Sequence, residues 1–341
     1  MKIIKYFRHF GIIENRLMKQ ISLVIPVYHE EESLPYFFEA VNPIVDSLKE
    51  KYDFELVFVT DMPDKGTYSL LLKKQKEQSN IVVVRLSRSF GHEEAVAAGL
   101  KVAKGDAVIP LDGDLQDDPT IIPTMIAKWE EGFKVVNGKR SSREEKGLSK
   151  LFVKVFYHLF HKWSKKINVP ENVGDFRLLD RVVVDEINKL GEKYRVLKIE
   201  VPYVGFETTE VTYQRKNRVG GKTHYKKSAL FKNAFDYFTI ISDKLLMVVF
   251  DIALVSGVLS VLSLLVELIV FIVDVSTGPQ ILVNSLAYMT WLIIGIAVLL
   301  FAFVEFSLFI IGGYANRAYV EANDRPTYII ESVTYSDGKK E

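Results

Sequence analysis

Gly105-Asp106-Ala107-Val108-Ile109-Pro110-Leu111 runs directly into Asp112-Gly113-Asp114-Leu115-Gln116-Asp117-Asp118-Pro119, and the reading of this stretch decides the fold. The first half is a β-branched apolar run, the pattern of a buried strand. The second half puts two carboxylates one residue apart just past the strand end, where open α/β sheets bind ligands. A short loop carrying Asp112 and Asp114 offers hard oxygen ligands to Mg²⁺ or Mn²⁺, which prefer them and bridge to phosphates. Taken alone, the same residues also fit an acidic turn with an Asx cap before a helix at Pro119.

Residues 20 to about 215 around this stretch alternate strand-like and helix-like segments. Ile21 to Val27 is a β-branched run, followed by an acidic helix start at Glu30-Glu31-Glu32 and a helix through about Lys51. Glu55 to Val59 and Ile81 to Val84 read as strands, Tyr68 to Gln78 and Glu93 to Ala103 as helices. Successive units of this length imply a mostly parallel sheet flanked by helices. Strand ends carry the ligands of such a sheet, so Pro26 to Glu30, Asp61 and Asp112 to Asp114 are expected to converge on one cleft.

A second half of different character follows. No lysine or arginine occurs from Leu245 to Asn316, and two long apolar segments lie there, about 245–273 and 286–312. Each exceeds the roughly 20 helical residues that cross a hydrocarbon core. Lys226, Lys227, Lys232 and Lys244 precede them, and Arg317 and Arg325 follow. The positive-inside rule therefore puts both flanks and the N-terminal domain in the cytoplasm, at a plasma (inner) membrane crossed twice. Asp251, Glu267 and Glu305 are costly in a bilayer and mark helix packing, an oligomer seam or a lipid headgroup path. Tyr225 to Lys244 interleaves lysines with Phe231, Phe235, Tyr237 and Phe238, as in an interfacial amphipathic helix. Met1 to Lys19 is basic without an apolar core long enough for a signal peptide, and reads as a second surface helix or a frayed arm.

The expected layout is thus an arm at 1–19, a cytoplasmic domain at 20–224, an interfacial helix at 225–244, two spans within 245–316 and a cytoplasmic tail at 317–341. A length of 341 residues agrees with two structural units. A net charge of +1 gives no global attraction to nucleic acid. The absence of cysteine excludes disulfides, thiolate metal sites and cysteine nucleophiles, and the six histidines show no zinc-ligand spacing.

Four motifs together carry a family resemblance: Ile25-Pro26-Val27-Tyr28-His29-Glu30-Glu31, Val59-Thr60-Asp61, Asp112-Gly113-Asp114-Leu115-Gln116 and Gly174-Asp175-Phe176-Arg177-Leu178-Leu179-Asp180-Arg181. They resemble family 2 glycosyltransferases with a GT-A fold. The last motif with two C-terminal spans is similar to the polyprenyl-phosphate branch, which includes bactoprenol glucosyltransferases and dolichol-phosphate mannose synthases. Ile311 to Arg317 and Arg325 to Tyr328 resemble the bactoprenol subgroup, and the likeness runs from Gln20 to Val333.

The resemblance implies a role for each matching position. Pro26, Tyr28 and Glu30 would border the base and ribose of a nucleotide diphosphate sugar, and Asp61 would accept from the base ring N–H. Asp112 and Gly113 would line ribose and diphosphate, while Asp112, Asp114 and Gln116 would hold the metal. Arg140, Arg215, Arg218 and His224 would meet the lipid phosphate, with Arg177 as a further phosphate contact. UDP-glucose or UDP-N-acetylglucosamine is the expected donor, undecaprenyl phosphate the acceptor, a homotetramer the assembly and a flippase a downstream partner. The chain departs from the family at Thr60, Lys65, His29 and His224, where aspartate, aspartate, asparagine and lysine are usual.

The chemistry suits these parts. A lipid phosphate is already anionic and needs no strong general base, whereas a hydroxyl acceptor does. The alternatives are a silent homologue acting as a membrane scaffold, and a transferase to a lipid hydroxyl such as diacylglycerol with Asp175 as base.

Overall fold

In the computed structural model the described residues are 18–61, 65–141, 169–216, 239, 244–277, 282–336 and 338–339. The chain divides into one unit of residues 1–161, 165–224 and 326–341, and a second of 162–164 and 225–325.

The first unit is built on the apolar strands read from the sequence. β1 (Lys19–Val27), β2 (Tyr52–Thr60), β3 (Ile81–Leu86) and β4 (Ala107–Pro110) are buried along nearly their whole length. Continuous burial is the mark of parallel strands covered on both faces. β1 pairs in parallel with β2 and with β4, and β2 pairs in parallel with β3. The helices between them are α1 (Leu34–Leu48), α2 (Lys65–Glu77) and α3 (His92–Val102).

The sheet extends through β5 (Val135–Arg140), β6 (Val173–Asp180), β7 (Thr208–Tyr213) and β8 (Ile330–Thr334), in the order β7-β5-β6-β4-β1-β2-β3-β8. β6 runs antiparallel to both β4 and β5, and β7 runs parallel to β5. The direction of winding reverses between β1 and β4, and such a switch point opens a ligand crevice at the strand ends. α4 (Ile122–Glu130) joins α1 on one face around Phe37, Phe58, Met125 and Phe176. α5 (Arg181–Lys189) and α6 (Leu197–Val204) join α3 on the other around Val57, Val84, Leu100 and Val184.

The entry to β4 is held by a small buried polar network. Glu55 accepts from Ser22 Oγ and the Lys104 N–H, each at 2.5 Å, and Ser22 Oγ accepts from the Gly105 N–H at 2.7 Å. A side chain at Gly105 would meet the Ser22 backbone at 2.6 Å, so only glycine allows this approach.

β8 (Ile330–Thr334) closes the far edge antiparallel to β3. Gln75 Nε2 donates to Thr334 O at 2.7 Å, Ser336 Oγ to Ser79 O at 2.6 Å, and Arg85 pairs with Glu331 at 3.1 Å. The segment expected as a tail therefore includes an edge strand. Its sequence is short, and strand formation here depends on the partner edge more than on intrinsic preference.

The second unit contains α7 (Lys244–Thr277) and α8 (Leu282–Ala322), both long and apolar enough to cross a membrane. Their apolar side chains point outward, with Phe250 and Val298 each 64% exposed. α8 has 41 residues, about 60 Å of helix, so it continues well past the apolar segment ending near Gly312. Arg317 Nη1 donates to Thr239 Oγ1 at 2.9 Å. Asp251 and Glu305 are exposed on these helices. The surface arm before Met18 and almost all of the interfacial helix lie outside the described residues.

Asp180 ties both faces of the first unit together. Its carboxylate accepts from Trp129 Nε1 at 2.7 Å, from Lys134 Nζ at 2.9 Å and from the Val182 N–H at 3.1 Å, the last capping α5. Burial alone would raise the Asp180 pKa, but these three donors outweigh it and lower it. With a folded value below the unfolded one, the contribution is present above about pH 3.9 and is lost as pH falls through the folded pKa. Asp180→Ala removes the cap and strands a buried indole N–H, and is expected to cost about 2–4 kcal/mol. Urea titrations at neutral pH and at acid pH check this. The gap between wild type and variant is expected to narrow at acid pH.

Candidate active site

The loop after β4 starts from a fixed point, because the Leu111 N–H donates to Val24 O at 2.9 Å. Gly113 packs on the end of β1, where an added Cβ would lie 3.5 Å from Val27 and 3.6 Å from Ile25. Asp114 is buried and its Oδ1 accepts from the Gln116 N–H at 3.1 Å. Leu115 takes a left-handed φ of 57°, which turns its side chain into the core. The cap of the following helical turn falls to Asp118, which accepts from the Thr120 N–H at 3.1 Å and its hydroxyl at 2.8 Å. The capping role open in the sequence thus belongs to Asp118, and Asp112 faces the strand ends.

His92, the first residue of α3, sits between two carboxylates. Its Nε2 is 3.7 Å from Asp112 Oδ1 and 3.8 Å from Asp175 Oδ2. Burial works against the imidazolium, yet Asp175 and Asp112 outweigh it and push His92 up to about 10. Asp112 is pushed up to about 6 by burial, with His92 opposing and Asp117, Asp175 and Asp114 adding. Burial and the charge of Asp175 push Glu93 up to about 8. For Asp175, burial is outweighed by His92, Lys198 and Arg177, which hold it well below the usual carboxylate range.

Asp61 is 6% exposed and faces the loop before α3. Its oxygens accept from Ser89 Oγ at 2.8 Å, the Phe90 N–H at 2.7 Å and the Gly91 N–H at 3.1 Å. Neighbouring Thr60 turns into the sheet and donates to Val84 O at 3.1 Å. His29 adopts a left-handed φ of 56°, a conformation in which asparagine and histidine are enriched, which accounts for the exchange at that position. Tyr28 is 41% exposed and stacks edge-on against His29, while Glu30 accepts from Ser33 Oγ.

The expected cationic residues have different fates. Arg140 Nε donates to Tyr213 Oη at 3.2 Å and its Nη2 lies 3.4 Å from Asp117, while Tyr213 donates to Asp117. Gly174 leaves room for that guanidinium, since an added Cβ would lie 2.8 Å from it. Arg215 donates to Gln116 Oε1, and Lys216 pairs with Asp118 at 3.1 Å, which lays segment 214–216 along the carboxylate loop. Arg177 is 1% exposed, beneath the site end of β6, where Nη2 donates to Gly174 O. Arg218, His224 and Lys65's side chain lie outside the described residues.

Asp112 and Asp114 are the residues able to hold a divalent cation. Among the described residues no cluster of three or more histidines and carboxylates forms a complete cation cage. Mg²⁺ does not require one, because it binds through one or two carboxylates plus substrate phosphates. The crowding of Asp112 by three other carboxylates fits such a charge. Gln116 Oε1 already receives Arg215, leaving one of its lone pairs for another partner.

His92, Glu93, Asp117 and Tyr213 are site residues that the sequence reading passed over. The position of His92 was accessible in principle, since it opens a helix directly after a strand end on the crevice side. Its partner Asp175 lies on β6, more than eighty residues away, and that pairing has no local signature.

A sheet of this order with carboxylates at the switch point, in a chain that also carries two long apolar C-terminal helices, defines a GT-A glycosyltransferase. Residues 22–187 match the profile of glycosyl transferase family 2. The chain is 36% identical over 315 residues to the uncharacterized glycosyltransferase YkcC of Bacillus subtilis (strain 168), covering 92% of this chain and 93% of that one. It is 36% identical over 317 residues to the bactoprenol glucosyl transferase of Shigella phage SfV, covering 92% and 98%. It is 36% identical over 322 residues to the prophage bactoprenol glucosyl transferase homolog of Escherichia coli (strain K12), covering 92% and 99%. The chain belongs to glycosyl transferase family 2.

Proposed function

We propose that this glycosyltransferase moves a sugar from a nucleotide diphosphate sugar, UDP-glucose or UDP-N-acetylglucosamine, to polyprenyl phosphate at a membrane surface. The relatives named for bactoprenol glucosyl transfer, similar over nearly their whole length, support the acceptor class. The observation that carries the reading is the pairing of Asp175 with His92 at 3.8 Å. A carboxylate so stabilised in its charged form is a poor proton acceptor, and an alcohol acceptor needs a good one. A phosphate acceptor does not.

In this reading a phosphate oxygen of the lipid attacks the anomeric carbon. The bond from that carbon to the diphosphate breaks, and the nucleotide diphosphate leaves with the electron pair, inverting the centre in one step. Pro26, Tyr28, Glu30, Asp61, Asp112 and Gly113 border the nucleotide. Asp112 and Asp114, with Gln116, would hold a divalent cation, which would supply positive charge to the leaving diphosphate. Arg140, oriented by Asp117 and Tyr213, and Arg215 offset the repulsion between the two anionic substrates. Arg218 and His224, which lie outside the described residues, are assigned to the lipid phosphate on the family resemblance, and Arg177 stabilises the charged form of Asp175. The test is incubation of purified protein and undecaprenyl phosphate with a panel of nucleotide sugars, followed by the mass of the lipid product. No sugar-phosphate lipid from any donor would return the chain to the scaffold reading.

Two crossings of the membrane are supported by chain connectivity. Residues up to 224 and residues 326–341 belong to one sheet unit, and α7 and α8 lie between them. Two helices that leave and rejoin the same unit cross an even number of times. With the positive charge flanking them, that side is the cytoplasm. A reporter after Glu341 is expected to be active only inside the cell, and one inserted near Thr277 only outside. A tetrameric assembly with a downstream flippase belongs to the same proposal, and the mass of the detergent-purified protein tests its first half.

A further inference from the structure

We propose that His92 is a positioning residue for the transfer: its imidazole, seated between Asp112 past β4 and Asp175 on β6, sets the width of the cleft in which the sugar changes hands. β4 and β6 are antiparallel neighbours, so their two carboxylates meet at the same end of the sheet. Like charges there repel, and His92 Nε2 stands nearly midway, at 3.7 and 3.8 Å. Asp175 needs this contact, because its other oxygen is buried without a hydrogen-bond partner among the described residues.

The backbone ahead of His92 is held at three points. The Ser87 N–H donates to Ile329 O at 3.0 Å, so the strand returning after α8 fixes the start of the loop. Asp61 then accepts from Ser89, Phe90 and Gly91. Gly91 turns the chain with φ of 125°, where an added Cβ would lie 2.6 Å from Glu94 and be strained. A loop that only covered surface would need none of these restraints. Together they define the position of one imidazole, and Asp61 holds it as much as it borders the nucleotide.

The inference rests on the phosphate-acceptor reading above, and the test separates the two. His92→Phe removes the donor at similar ring size, and His92→Gln keeps an N–H that reaches part of the way. A cleft misplaced by about an ångström costs on the order of 100-fold in rate, so His92→Phe is expected to lose roughly that in kcat. Donor KM is expected to stay near wild type, with His92→Gln recovering about tenfold of the loss; leaving Asp175 unpaired lowers Tm in His92→Phe, so rates are compared well below both midpoints. Unchanged kcat in His92→Phe, equal loss in both variants, or a loss matched by a rise in donor KM overturns the role. If the wild type proves to act on polyprenol instead of polyprenyl phosphate, the acceptor reading fails. The same comparison on polyprenol then decides His92.

Discussion

Asp114→Asn is expected to lose about a thousandfold in turnover while the protein stays folded. Asp114 lies in the loop after β4, buried and fixed by the Gln116 N–H, so in the proposed reading its carboxylate would meet a bound cation without reorganisation. The amide is of the same size and still accepts that hydrogen bond, so the loop keeps its shape. What disappears is one full negative charge facing the cation. Several kcal/mol of charge stabilisation on the leaving diphosphate go with it, which is three powers of ten in rate. Steady-state turnover with saturating Mg²⁺ or Mn²⁺ measures the loss, and the thermal midpoint controls for folding. Chelation of the wild type is expected to give a comparable loss, restored by either cation. Near-normal activity of the variant, or of the wild type in chelator, would falsify the metal assignment.

Removing the phosphate from the acceptor is expected to abolish measurable transfer. The nucleophile is then a neutral hydroxyl, and Asp175, the carboxylate weighed as its base, is held well below the usual range because His92 outweighs its burial. General-base assistance contributes typically 10²- to 10⁴-fold, so a site without it is slower with an alcohol by about that factor. In the proposed reading the acceptor would also lose charge-assisted contacts to Arg140 and Arg215, about 1.5–3 kcal/mol each. Paired assays with polyprenyl phosphate, polyprenol and diacylglycerol under one donor give the comparison. Comparable rates on an alcohol would make Asp175 the base and reverse the assignment of the acceptor. Arg140→Ala offers a graded version: its apparent KM for the lipid phosphate is expected to rise on the order of tenfold or more, with donor binding little changed.

Much of this was legible in the chain before any coordinates. β1 to β4 and the helices between them carry strong local patterns, and the observed boundaries lie within a few residues of those read from the sequence. The carboxylates at Asp112 and Asp114 stand just past a strand end because the apolar run before them leaves no other reading. The two apolar helices follow from length and the lack of charge alone. Each of these depends on residues close together in the chain.

The remaining features depend on residues far apart. Asp61 was read as a nucleotide contact, and the fold adds hydrogen bonds from Ser89 to Gly91 of the next strand's loop that its sequence neighbours do not show. Arg177 shares a motif with Asp175, but alternation along β6 and the packing of α3 and α6 over that face bury it completely. The segment after α8 is rich in β-branched and aromatic residues from Thr327 to Tyr335 but was read only as a tail, and it becomes β8 because β3 offers an open edge. His92 gains a role only when β6 brings Asp175 beside Asp112. The sequence by itself determined the fold class, the carboxylate loop and the two long apolar helices, since periodicity and charge are local quantities. Which charged groups meet, and which are buried, was decided by the tertiary structure, because strand order and register set distances that no local pattern encodes.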